Sequence, residues 1–194
     1  MLRFMSGLAR GMAILGGIVL AVMILIVCLS IVGRITNGFL HSGFMMSALP
    51  GLSTWLLDLG IGPVNGDYEL VEAGMAFCIF AFLPLAQISS GHATVDIFTN
   101  FLPMPAQRLL RALIEIVFGL VLVIIAWKLF EGMMSKKSSG GTTLLLQFPI
   151  WWAYACGLIG AVVSAIIGVY MAFVRIAEFL TGRVIVADGP EAEH

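Results

Sequence analysis

The sequence predicts an all-α integral membrane protein with four transmembrane helices and a short interfacial helix in the first loop. Of its 194 residues, 60% are hydrophobic and 11% are charged, whereas roughly a quarter of the residues in a soluble domain are charged. Residues 11–33, 73–91 and 138–174 contain no Asp, Glu, Lys or Arg. Each of these stretches is long enough for a helix to cross a bilayer. We treat residues 1–194 as a single membrane domain.

The first helix is predicted over residues 11–32, between Arg10 and Arg34, whose long side chains can reach the headgroups at either end. Its apolar run is longer than the roughly 7 to 15 residues of a signal peptide's hydrophobic region, and no A-x-A cleavage site follows it. The sequence therefore indicates a retained helix rather than a cleaved signal.

The first loop, residues 35–68, holds too many Gly, Pro and Asn residues for a further span. Within it, Leu52, Trp55, Leu56 and Leu59 recur at i, i+3, i+4 and i+7 and form a short apolar stripe. This pattern predicts a helix over residues 50–59 that lies along the membrane surface, with Trp55 as an interfacial anchor.

The second helix is predicted over residues 69–89, and Pro84 within it should bend the helix because its ring clashes and it lacks an amide hydrogen. Gln87, one turn later, is expected to form hydrogen bonds with some of the backbone groups that lose their partner at Pro84. The third helix is predicted over residues 106–134, after Pro103 and Pro105. At about 43 Å it exceeds the roughly 30 Å hydrocarbon core, so it must tilt or protrude.

The fourth helix is predicted over residues 149–180, because Pro149 is favourable in a first helical turn. Trp151 and Trp152 at its start are expected to anchor it at one membrane interface. Residues 181–194 form a short polar tail. If the N-terminus is inside, six Lys or Arg residues face the cytoplasm and four face outward, which favours cytoplasmic termini. The inside set is Arg3, Arg10, Arg108, Arg111, Arg175 and Arg183, and the outside set is Arg34, Lys128, Lys136 and Lys137.

Small residues on the fourth helix recur every fourth position in two neighbouring rows, which predicts a flat face for close helix packing. The residues expected at its centre are Gly157, Gly160, Ala161, Ser164 and Gly168. The third helix is instead lined by large apolar residues from Leu113 to Ile125. Lipid and a second membrane protein are both open as its partner, and the sequence does not tell which helix would contact such a protein.

Few residues in the predicted spans could carry chemistry. Glu115 lies four residues after Arg111, which predicts an ion pair near one interface, with an intramembrane ion or partner contact as the alternative. The histidines lie in loops or the tail, and Cys28, Cys78 and Cys156 have neither C-x-x-C spacing nor a neighbouring His. We therefore predict no catalytic, cofactor-binding or metal-binding residue. The net charge of −1 also argues against nucleic-acid binding.

The run G-H-A-T-V-D after the second helix contains Gly91, His92, Val95 and Asp96. It resembles the G-H-x-x-V-D segment of the small membrane subunits (DctQ-like) of tripartite ATP-independent periplasmic (TRAP) transporters. Ser89 and Ser90 stand where relatives often carry basic residues. The residues leading into the last helix are also similar to that family, and they are Thr142, Thr143, Leu146, Pro149, Trp151, Trp152 and Tyr154.

The 91–96 loop has two open interpretations. In the structural one, Gly91 ends the second helix, His92 bonds headgroups or exposed carbonyls, and Asp96 caps the next segment or pairs with a nearby arginine. In the other, the loop contacts the large transporter subunit directly.

The resemblance implies a three-part secondary transporter in the bacterial inner membrane. A soluble periplasmic binding protein would deliver organic anions, which the resemblance implies are carboxylates, to a large sodium-coupled permease subunit. This chain would support that subunit's scaffold and carry no catalytic residue. Two alternatives come from other classes of protein: a membrane anchor of a quinone or haem oxidoreductase, and a homo-oligomeric small channel or exporter.

Overall fold

A computed structural model describes residues 2–89 and 104–181. Its helices, in chain order, are α1 (Leu2–Leu40), α2 (Gly43–Ala48), α3 (Pro50–Asp58), α4 (Asp67–Ile88), α5 (Met104–Ser139) and α6 (Trp151–Thr181). Helices α1, α4, α5 and α6 are each long and apolar enough to cross a membrane. The predicted fold class, all-α with four transmembrane helices, is confirmed.

Helix α1 has 39 residues, so it extends well beyond the predicted range of 11–32 at both ends. Asn37 and Gly38 were interpreted as helix breakers, yet the helix continues through them to Leu40. The Asn37 side-chain amide donates to the Ile61 carbonyl at 2.9 Å. A Cβ at Gly33 would collide with the Gly62 carbonyl oxygen. These contacts with the first loop stabilise the last turns of α1, where local propensity alone predicted a loop.

The first loop contains two short helices where the sequence predicted one over residues 50–59. Helix α2 begins after Ser42, whose hydroxyl accepts the Met45 amide, and α3 begins at Pro50. The buried Ser53 hydroxyl donates to the Leu40 carbonyl at 2.7 Å, so α3 is held against the end of α1. Trp55 of the same helix is 59% exposed.

The four long helices form a row in the order α1, α4, α6, α5, since α4 contacts α1 and α6, and α5 packs on α6. We call the two ends of this bundle the Trp151 end and the Arg175 end, after the first and last parts of α6. At the Arg175 end, Ala9 of α1 packs in one buried cluster with Ile167, Met171 and Val174 of α6. At that end α1 therefore contacts α6 as well as α4.

Helices α4 and α6 touch backbone to backbone where Gly160 faces Phe80. A Cβ at position 160 would lie 2.8 Å from the Phe80 Cβ and 3.0 Å from its carbonyl carbon. Pro84 lies inside α4 and has no amide hydrogen, so the Phe80 carbonyl four residues earlier loses its partner within the helix. The Ser164 hydroxyl of α6 donates to that carbonyl at 3.0 Å. A residue of the neighbouring helix thus supplies a hydrogen bond to the carbonyl that has no partner within α4.

Ser164→Ala should destabilise the protein by about 1 kcal/mol, in the range measured for polar contacts between membrane helices. The effect should fall toward zero in a Pro84→Ala background, where residue 84 regains the amide that bonds the Phe80 carbonyl. A double-mutant cycle of thermal or denaturant unfolding in detergent measures this coupling. Equal losses in the two backgrounds would contradict the assignment and would indicate that the other Ser164 bond, 2.8 Å to the Gly160 carbonyl, carries the effect.

Helices α5 and α6 pack through a second set of small residues. A Cβ at Gly168 would lie 3.0 Å from a Leu122 methyl carbon and 3.3 Å from the Gly119 Cα. Ala161 and Ala165 of α6 are buried in one cluster with Leu122 and Ala126 of α5. The five small residues predicted as a packing face are all buried in α6: Gly157, Gly160, Ala161, Ser164 and Gly168. In this structure, their neighbours belong to α4 and α5 of the same chain.

Candidate functional site

At the Trp151 end, a short hairpin between α5 and α6 is bound to the start of α4. An isolated antiparallel bridge pairs Thr142 with Pro149 at the base of this hairpin. The carboxylate of Glu69 accepts the backbone amides of Leu145 at 2.7 Å and Leu146 at 2.9 Å. Glu69 is 9% exposed, so these bonds satisfy a buried charge. This role of Glu69 is not visible in the sequence, because the two amides lie more than seventy residues away and belong to the backbone.

The start of α4 is also bound to α1. The Ser30 hydroxyl donates to the Asp67 carboxylate at 2.5 Å and accepts the Val64 amide at 3.2 Å. An Arg34 guanidinium nitrogen lies 3.9 Å from the same carboxylate. Together with Glu69, these bonds join α1, α4 and the hairpin at the Trp151 end.

The predicted anchors lie on the surface of this end. The Trp151 and Trp152 rings meet edge to face with centroids 6.1 Å apart, and the Lys137 ammonium lies 5.3 Å from the Trp151 ring centroid. Trp152 is 53% exposed and Trp55 is 59% exposed. Their position fits contact with the membrane interface, and the anchoring role of these three tryptophans stays a prediction.

At the Arg175 end, buried polar side chains form one contact between two helices and one contact within α6. The Gln87 amide nitrogen donates to the Glu115 carboxylate at 2.6 Å and so joins α4 to α5. One guanidinium nitrogen of Arg175 lies 2.8 Å from the Glu178 carboxylate on the next turn of α6. All four residues are buried, with Gln87 fully so. The pair at positions 175 and 178 was missed, although its i, i+3 spacing of opposite charges was visible in the sequence.

Two further features predicted from the sequence stay predictions. The first is the Arg111–Glu115 ion pair. The contact described for Glu115 is the hydrogen bond from Gln87, and this bond does not test the pair with Arg111. The loop of Gly91, His92, Val95 and Asp96 lies outside the described residues.

Between its two ends the bundle is packed by small and apolar side chains. Cys78 is buried and its thiol donates to the Gly16 carbonyl at 3.3 Å, while Cys28 and Cys156 are exposed on the helix surfaces. Within residues 2–89 and 104–181, no three His, Cys, Asp or Glu side chains are grouped closely enough to hold a metal ion. The polar contacts that can be described hold helices and loops together.

These features define an integral membrane protein with four long apolar helices, whose described polar contacts hold its own helices and loops together. A family model for the DctQ component of tripartite ATP-independent periplasmic transporters matches residues 23–178. The chain belongs to this family, and it is the small permease component of a TRAP transporter, a multi-pass protein of the inner membrane. Comparisons with curated proteins and with solved structures find no match.

Proposed function

We propose that this chain scaffolds a large, sodium-coupled permease subunit that imports organic anions, in particular carboxylates, delivered by a periplasmic binding protein. The family match over residues 23–178 carries this proposal, since members of that family are components of TRAP transporters. In this assembly the chain binds no substrate and no coupling ion. The chain holds the static part of the large subunit in the membrane while the transport domain of that subunit moves.

The packing of the described residues supports a scaffold rather than a solute path. A transported anion needs polar or charged groups near mid-membrane, where water is absent. Near the middle of α6, the buried side chains are those of Ala161, Ser164, Ala165 and Ile167, and the Ser164 hydroxyl bonds backbone carbonyls of its own chain. Such contacts favour a rigid bundle.

We place both termini in the cytoplasm, on the basis of six Lys or Arg residues against four. The Trp151 end then faces the periplasm, and the Glu69-bound hairpin lies on the side from which a binding protein delivers substrate. Large exposed apolar residues on α1 and α5, the outer helices of the row, are available to lipid or to the large subunit.

Reconstitution tests this function. Proteoliposomes that contain the large subunit, this chain and the binding protein should take up a carboxylate substrate when a sodium gradient is applied. Omission of this chain should reduce uptake to the level of protein-free vesicles, because the large subunit lacks its support. Glu115→Gln should lower the yield of the assembled complex but leave the substrate and sodium dependence of the remaining uptake unchanged. Full uptake by the large subunit without this chain would contradict the proposal.

A further inference from the structure

A cavity of about 620 Å³ lies at the Trp151 end between α4, α5, α6 and the hairpin. Helices α4 and α5 each pack on α6, and among the described residues they have no extended contact with each other at this end. The cavity therefore has α6 as its back wall, and the Glu69-bound hairpin contributes to its lining. Its volume is within the roughly 300 to 1,000 Å³ typical of small-molecule sites.

The lining of this cavity changes from polar to apolar along α4. Glu69 and Glu72 lie within about 8 Å of the start of the helix, at 1.5 Å per residue. Ala76 and Phe80 lie one and two turns deeper, opposite Gly157 of α6. The remaining walls are mainly small or apolar, with Ala73, Leu129, Ala153 and Ile150 among them. The polar groups are thus near the level of the headgroups, and the apolar walls are at the level of the acyl chains.

Glu72 is the chemically informative residue of the lining. Its neighbour Glu69 accepts two hairpin amides. In the part of the chain that the structure describes, the exposed Glu72 carboxylate has no hydrogen bond or ion pair, and no Lys or Arg lines the cavity. An exposed carboxylate beside apolar walls can accept a charge-assisted hydrogen bond from an ammonium group while the apolar walls contact hydrocarbon. The polar end of the cavity therefore offers a carboxylate that a cationic group from outside the chain can bind.

We propose that this cavity binds a phospholipid with a primary ammonium headgroup, such as phosphatidylethanolamine. The ammonium group donates to the Glu72 carboxylate, and one acyl chain lies along Ala76, Phe80 and Gly157. The hydroxyl groups of Tyr154 and Thr142, which also line the cavity, are available to the phosphate and ester oxygens. An anionic headgroup without an ammonium group would meet Glu72 with like charge. This proposal is independent of the transporter assembly, because every residue in it belongs to this chain.

Native mass spectrometry of the full chain tests the proposal. The protein is exchanged into mixed micelles with equal amounts of phosphatidylethanolamine, phosphatidylglycerol and phosphatidylcholine of one acyl composition. We expect one phosphatidylethanolamine to be retained in preference to the other two lipids. Glu72→Gln should lower its retention by about tenfold or more, as expected for loss of a charge-assisted hydrogen bond. Gly157→Leu should lower the retention of all three lipids, because its side chain fills the apolar part of the cavity.

Glu131→Gln is the matched control, since Glu131 is an exposed carboxylate of α5 that pairs with Lys128 and does not line the cavity. It should leave lipid retention unchanged. Thermal unfolding of each variant verifies folding, and Glu72→Gln keeps the test valid if Gly157→Leu does not fold. Equal retention of the three lipids by the wild type, or an unchanged preference in Glu72→Gln, would overturn the proposal.

Discussion

Replacing Gly160 with leucine should strongly destabilise the bundle and weaken its assembly with other subunits. The Cβ alone would lie 2.8 Å from the Phe80 Cβ and 3.0 Å from the Phe80 carbonyl carbon. The second of these atoms is backbone, which cannot rotate away, so α4 must move from α6. Overpacking of this kind costs about 1–3 kcal/mol and occasionally more. The movement should also lengthen the 3.0 Å bond between Ser164 and Phe80, which adds to the loss.

Gly17→Leu provides the control for this variant. Gly17 also lies in a transmembrane helix, but a Cβ there meets no other atom within 4 Å. Leucine is favoured over glycine in a helix, so this change should leave the unfolding midpoint unchanged or raise it slightly. Thermal unfolding in detergent, followed by circular dichroism, measures both variants. Equal shifts for Gly160→Leu and Gly17→Leu would show that added bulk, rather than the α4–α6 contact, determines the loss.

The small-residue face of α6 illustrates how far the sequence could predict this fold. The repeat of Gly, Ala and Ser every fourth position identified the residues that are buried, because a helix places such positions on one face. It could not tell what would cover them. The structure shows that α4 packs on Gly160 and α5 on Gly168, so two helices of the same chain cover the face. Which helices meet depends on the whole packing arrangement, which local spacing does not encode.

Pro84 illustrates the same limit for polar contacts. Its position predicted a disturbed backbone within α4, and Gln87 was expected to bond the freed polarity. In the structure Gln87 donates to Glu115 of α5, and Ser164 of α6 donates to the Phe80 carbonyl. The local interpretation chose the nearest polar residue, whereas the observed donor is 84 residues away. The bond to Glu115 is equally long-range, so the role of Gln87 as a link between helices could not be read from its neighbours.

The buried pair of Arg175 and Glu178 should contribute more to stability than its spacing suggests. Its side chains are 5% and 9% exposed, whereas those of Lys128 and Glu131 on α5, also at i, i+3, are 67% and 48% exposed. Both pairs have a nitrogen–oxygen distance of 2.8 Å. Because the two pairs have the same distance and differ in exposure, comparing them separates the effect of burial on stability from the effect of pairing. A buried charge that loses its partner is not resolvated by water, whereas an exposed charge is.

Arg175→Met should therefore destabilise the chain by about 3 kcal/mol or more, since Glu178 loses a charged donor at a buried site. Lys128→Met removes the same charge from the exposed pair and should cost no more than about 1 kcal/mol. Adding Glu178→Leu to Arg175→Met should restore much of the loss, because two apolar side chains leave no unmatched charge from this pair. Denaturant unfolding of the purified chain in one detergent compares all three variants. A loss in Arg175→Met no larger than that in Lys128→Met would mean that water reaches position 178, and that burial adds nothing to the contribution of this pair.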